Sequence, residues 1–223
     1  MKDDNKDRFE YDKILTSYKD IKGKIDSYNL IGRVIKDIRV VGYSYWHSRV
    51  FVELTEYHNL LDKGISKEDA EKESNYENIK DDSLHPRYME IDEPILFRFE
   101  DGDELGVEAI MDDKYRIFMN AISWDVTSSV NERNADAAII FSPCIGSKII
   151  GVEYETYLCG ELEEELSVSE IIIHLSNSMC FSIGVVDLDY CGVYLLDKDW
   201  KVVEMEFKEL KTALTNGEDI HID

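Results

Sequence analysis

The chain has 223 residues, 43% of them hydrophobic, which is enough to bury a core in one large domain or two small fused ones. Its 48 acidic residues against 25 basic leave a formal charge of −23. That field repels phosphate backbones and anionic headgroups and argues against direct nucleic-acid or membrane binding. Aromatic content of 11% together with dense Ile, Val and Leu runs excludes an acidic disordered tail.

The N-terminus, Met1-Lys-Asp-Asp-Asn-Lys-Asp, has no apolar leader, which predicts a cytoplasmic protein. Residues 1–30 then carry Tyr11, Ile14, Tyr18, Ile21, Ile25 and Tyr28 at alternating three and four spacing. This is the stripe of a helix packed on a sheet. A first β-rich unit is expected over 31–130, opened by Ile31-Gly-Arg-Val-Ile-Lys-Asp-Ile38. It is interrupted at 43–94 by an insertion with a strand ending near Glu53 and a charged helix starting at Ser66, where Ser66 and Asp69 approximate a capping box. The tail of the insertion, Asn78 to Arg87, reads as a loop. Beyond it Phe97, Phe99, Leu105 and Val107 alternate with charged residues, the pattern of a sheet with one buried face. Asp101-Gly102 predicts a two-residue type I′ turn at the tip of this hairpin.

A second unit is expected over 145–205. Ile95 to Ala109 aligns without gaps to Ile171 to Val185, an offset of about 76 residues, and Ile31-Gly resembles Ile145-Gly. The same offset sets Ile117, Phe118 and Met119 on Val193, Tyr194 and Leu195, and Trp124 on Trp200, so both tryptophans are expected as equivalent core plugs. The second hairpin, richer in Ile171-Ile-Ile and Met179-Cys-Phe, should be the more central of the two. Residues 206–223 hold Phe207, Leu210 and Leu214, marking a short C-terminal helix that stops at Gly217. The fold class predicted is α+β: an internally duplicated, mainly antiparallel module with an N-terminal helix, a helical insertion in the first copy and a short C-terminal helix.

Catalytic signatures are sparse. Cys144, Cys159, Cys180 and Cys191 form no Cys-x-x-Cys pair and read as reduced, buried thiols. His47, His58, His85, His174 and His221 show no metal-ligand spacing, and no nucleophile elbow, phosphate loop or dinucleotide fingerprint is present. No cofactor or metal is therefore expected. Glu153-Tyr-Glu155 and Asp187-Leu-Asp189 each set two carboxylates on one strand face, a geometry open to acid–base or cation chemistry but common in so acidic a chain. Two clusters are denser: Glu161, Glu163, Glu164 and Glu165 in the loop that the first copy replaces by its insertion, and Glu100, Asp101, Asp103 and Glu104 at the first hairpin tip.

In kind, being small, acidic and free of a catalytic motif, the chain resembles the bacterial immunity proteins that sequester cationic nuclease toxins. The likeness rests on no family motif, so no functional residue is carried over. It implies a cytoplasmic, non-enzymatic, stoichiometric inhibitor that binds a basic protein such as a toxin through the two acidic clusters. The alternatives are a carboxylate-based enzyme or metal-binding protein with a site between the copies, and a structural or oligomerising module joined through the N-terminal helix.

Overall fold

The computed structural model describes residues 14–40, 44–45, 56–57, 59–74, 84–91, 94–111, 113–121, 137, 140–159, 165–187 and 190–206. Antiparallel sheet dominates, with few helices. Helix α1 spans Tyr18–Ser27 and starts where the Ser17 hydroxyl accepts the Asp20 N–H, which satisfies a helix-end donor. It is shorter than the apolar stripe suggests. Ile21 and Ile25 are buried, but Leu15 lies in an extended segment and Ile14 is exposed. A second helix, α2 (Lys67–Glu73), is capped by Ser66 through the Asp69 N–H.

Among the described residues twelve strands run in chain order: β1 (Ile35–Val40), β2 (Ser44–Tyr45), β3 (Leu84–Pro86), β4 (Tyr88–Ile91), β5 (Ile95–Phe99), β6 (Glu104–Ile110), β7 (Lys114–Met119), β8 (Ile149–Cys159), β9 (Glu165–Leu175), β10 (Cys180–Asp187), β11 (Tyr190–Leu196) and β12 (Glu204–Glu206). One sheet has the order β1-β5-β6-β7, a second β2-β4-β11-β10-β9-β8, and β12 pairs β3 in a small ribbon. Residues expected to be loop are therefore partly strand: Leu84–Pro86 pairs with Glu204–Glu206, and the end of the insertion supplies β4 to the second sheet, not the first.

The two sheets use one pairing register. Phe97 faces Leu105 as Ile173 faces Phe181, and Val107 faces Ile117 as Ile183 faces Val193. Ile35 faces Phe99 as Ile149 faces Leu175, and β1 and β8 carry a bulge at the same place, after Ile35 and after Ile149. The starts of β1 and β8 also pair with each other through Val34 and Lys148. Around that pair Gly32 donates to the Ile149 carbonyl while Gly146 donates to that of Ile35. Ile35 donates to Ser147 while Ile149 donates to Arg33. These bonds come in reciprocal pairs, as across a local two-fold axis. Outer edges correspond too: Leu15 bridges Tyr115 on β7, and Ile91 faces Cys191 on β11.

The hairpin tips differ from the expected type I′ turn. Phe99 donates to Asp103 and Gly102 donates back to Phe99, with Gly102 at φ +94° and no positive φ at Asp101. This is a three-residue connection, a type I turn closed by one left-handed residue. Leu175, Met179 and Ser178, at φ +66°, repeat it. Leu105 to Ala109 of β6 are buried on both faces, against the expected half-exposed sheet. The core is shared between the sheets: Phe181 meets Phe97 and Phe141 edge to face at 5.2 and 5.3 Å, and the Tyr115 hydroxyl donates to the Ser169 carbonyl at 2.9 Å.

Trp200 is not a core plug. It is 53% exposed at φ +62°, ending a turn in which Asp197 accepts the N–H groups of Asp199 and Lys201. A ring so exposed does not fill the interior. Trp124, the strand ending near Glu53 and the C-terminal helix of Phe207, Leu210 and Leu214 lie outside the described residues.

Candidate functional site

The turn Glu100–Glu104 is held to the start of β1. Its Glu100 N–H donates to Val34, and the Arg33 guanidinium reaches both Asp103 at 2.7 Å and Asp101 at 3.2 Å while lying over the Phe99 ring. Asn120 donates to Asp103 and accepts from the Glu104 N–H. The Arg33 hydrogen bond, then that of Asn120, holds the Asp103 carboxyl below the usual range. Glu104 is largely buried, 3.8 Å from Arg98. Three of the four acids of this cluster thus have a cation of their own chain beside them, which weakens the field they project. Arg33 is the residue that sequence reasoning left out, although it stands in the Ile-Gly-Arg segment that opens the strand.

The other cluster lies elsewhere. Glu165 opens β9 opposite Cys159, at the end of β8 farthest from Lys148, while Glu161, Glu163 and Glu164 lie outside the described residues. Eleven residues of β8 separate the two ends by roughly 33 Å at strand rise. Along that length Glu153 and Glu155 are exposed. A plain sequence signal marks this region: from residue 149 to residue 197 there is no Lys or Arg, against ten Asp and Glu. Of these ten, Glu153 and Glu155 on β8, Glu165 and Glu170 on β9 and Asp187 on β10 belong to strands, so the acidity is not confined to the loop.

One row of side chains on this sheet has the composition of a reactive site. His174 on β9 faces Cys180 on β10 and Gly151 on β8, and its Nε2 lies 3.2 Å from Glu153. Gly151 leaves the space over which the His174 ring lies, and Trp200 meets that ring edge to face at 6.0 Å. A cysteine, a histidine and a glutamate in file can in principle make a nucleophile. Burial, however, pushes the Cys180 thiol up, with Glu153 and Asp197 adding to the shift, and Cys180 is only 4% exposed. A thiol held protonated and covered is structural. Among the described residues no group of three or more His, Cys, Asp or Glu is placed to hold a metal ion. Asp187 ends β10, and the rest of the Asp187–Asp189 pair lies outside the described residues.

Beside β8 the surface is concave. A cleft of about 380 Å³ runs between the end of α1, at Ile25 and Asp26, the turn Asn29–Ile31, and Val152. Further along, Leu158 and Leu166 face each other across the ladder and are both exposed. No protein-family model, curated protein or solved structure matches this chain. No helix among the described residues is long and apolar enough to cross a membrane.

Proposed function

We propose that the protein is a binding protein that neutralises a basic partner by stoichiometric masking, in the manner of an immunity protein sequestering a cationic nuclease toxin in the bacterial cytoplasm. The observation that carries the reading is the run of 49 residues without a Lys or Arg, residues 149–197, folded into a sheet whose β8 displays Glu153 and Glu155. A rigid surface of one sign steers a partner of the opposite sign and raises its association rate. Glu161, Glu163, Glu164 and Glu165 add four acids to the same run, of which Glu165 is paired opposite Cys159 at the end of β8. Glu100, Asp101, Asp103 and Glu104 form a second, weaker patch, moderated by Arg33 and Arg98.

The scaffold itself is proposed to be a duplicated module, with copies at 31–130 and 145–205. The matched registers, the matched bulges and the reciprocal bonds around Val34 and Lys148 support this.

The test is affinity capture from the native cell followed by rapid-mixing kinetics with the captured partner. Association should be fast at low salt and slow steeply as salt rises, while dissociation changes less. Replacing Glu163, Glu164 and Glu165 by Lys should weaken binding through the association rate, by a few-fold to roughly a hundredfold. An acidic partner, or turnover of a small substrate by the isolated protein, would overturn the reading.

A further inference from the structure

β8 is an edge strand. Its outer side meets residues 32–35 as far as Ile149, and beyond that point no strand among the described residues pairs with it. Over Val152 to Thr156, a stretch whose ladder with β9 shifts register once, between Glu155 and Thr156, alternate backbone N–H and C=O groups therefore point away from β9. Such a row is a template for one more strand. Natural edges are usually kept short or covered, whereas this strand has 11 residues and exposes Glu153, Glu155, Thr156 and Leu158.

Two further features adjoin the edge. The cleft at Val152 is walled by Ile25, Leu30 and Ile31 and has Asp26 at its rim. Next on the same face Tyr154 packs edge to face on Tyr18, and its buried hydroxyl has no hydrogen-bond partner among the described residues. An unmade bond of that kind costs free energy until a ligand supplies an acceptor or donor.

We propose that the outer edge of β8 binds an extended basic segment of the partner as an added strand, with Lys or Arg beside Glu153 and Glu155 and an apolar side chain in the cleft at Val152. The proposal rests on the reading that the partner is basic. Charge selects this occupant over a second copy of the chain. Two β8 edges side by side would set Glu153 and Glu155 near their own counterparts at strand spacing, and like charges across a ladder are destabilising. A strand of alternating cationic and apolar residues reverses the sign of that interaction while making the same main-chain bonds. Backbone pairing then supplies affinity, and the carboxylates and cleft supply specificity.

The full-length protein can be tested with a short peptide alternating lysine and valine, its N-methylated form of equal charge, and a glutamate–valine counterpart. The lysine–valine peptide should bind and slow amide exchange at 152–156. N-methylation on the pairing side should weaken it about tenfold or more, since it removes donors without touching charge. Glu153→Lys with Glu155→Lys, both at exposed positions, should weaken it by a similar factor while leaving the thermal midpoint within a few degrees. Equal binding of the N-methylated peptide, or protection elsewhere than 152–156, would overturn the edge assignment and leave the charge reading standing. A glutamate–valine peptide that binds as tightly as the lysine one would overturn the charge reading itself. Protection of 152–156 in the protein alone, growing with its own concentration, would assign the edge to a second copy.

Discussion

Arg33 joins two elements through two carboxylates, so its replacement has a readable pH signature. The folded Asp103 carboxyl is held low, so the stability it contributes is present above the unfolded carboxyl value near 3.9 and is lost as pH falls through the folded value. Arg33→Gln should cost about 0.2–1 kcal/mol at neutral pH, the range of exposed ion pairs. That difference should shrink in denaturant titrations taken below about pH 3.5. His85 behaves in the opposite part of the scale. Burial lowers its folded pKa, with Glu204 opposing, so the neutral ring is the one that fits opposite Met205. Stability is then full above the unfolded value near 6.5 and declines as the unfolded chain takes up its proton first. His85→Gln should flatten the dependence of the thermal midpoint between about pH 7 and 5. The thiols form a third residue-scale test. Burial pushes Cys191 up to about 12 and raises Cys144 and Cys180 as well, so these three should resist an aromatic disulfide reagent in the native protein. Four thiols should titrate in non-reducing denaturant.

At the scale of elements, the antiparallel hairpins were legible in the sequence because period-two alternation survives without any knowledge of tertiary contacts. Their tips were not. Asp-Gly suits a two-residue turn, but here the strands close one residue later and only Gly102 takes the left-handed conformation. The burial of β6 on both faces was hidden because Glu108, polar in the alternation, is buried in an ion pair with Arg116. β4 was hidden because its partner, β11, lies a hundred residues away in the chain. Spacing at Gly184 is set by backbone: a Cβ there would stand 2.6 Å from the Ser169 carbonyl oxygen. Gly184→Ala should cost about 1–3 kcal/mol in chemical denaturation, because a carbonyl within a sheet cannot step aside as a side chain can. An effect below a few tenths would mean that β9 and β10 slide freely.

At the scale of the whole molecule, charge and core pull in different directions. A −23 chain repels itself, yet Phe181 ties both sheets into a single apolar cluster. Phe181→Ala should cost about 3–5 kcal/mol and lower one cooperative transition for both sheets. Separate melting of β5–β7 and β9–β11 would show that the shared core is not what couples them. The acidic character was readable from composition, but its placement was not. Of the two densest clusters in the sequence, the Glu100–Glu104 turn lies by the start of β1 and Glu165 opens β9 at the far end of β8, while Glu153 and Glu155, on a strand edge with no partner among the described residues, looked ordinary among so many acids.

The bonds that flank Val34 and Lys148 are self-complementary: each donor on one strand start has its counterpart acceptor on the other. An interface with that property does not require its two sides to be covalently linked. A chain carrying the second unit alone presents the donor of Gly146 and the acceptor of Ile149 to its own duplicate in the arrangement that Gly32 and Ile35 meet here. On the proposed duplication, such a half-length chain would carry the donors and acceptors to pair with itself through the same bonds.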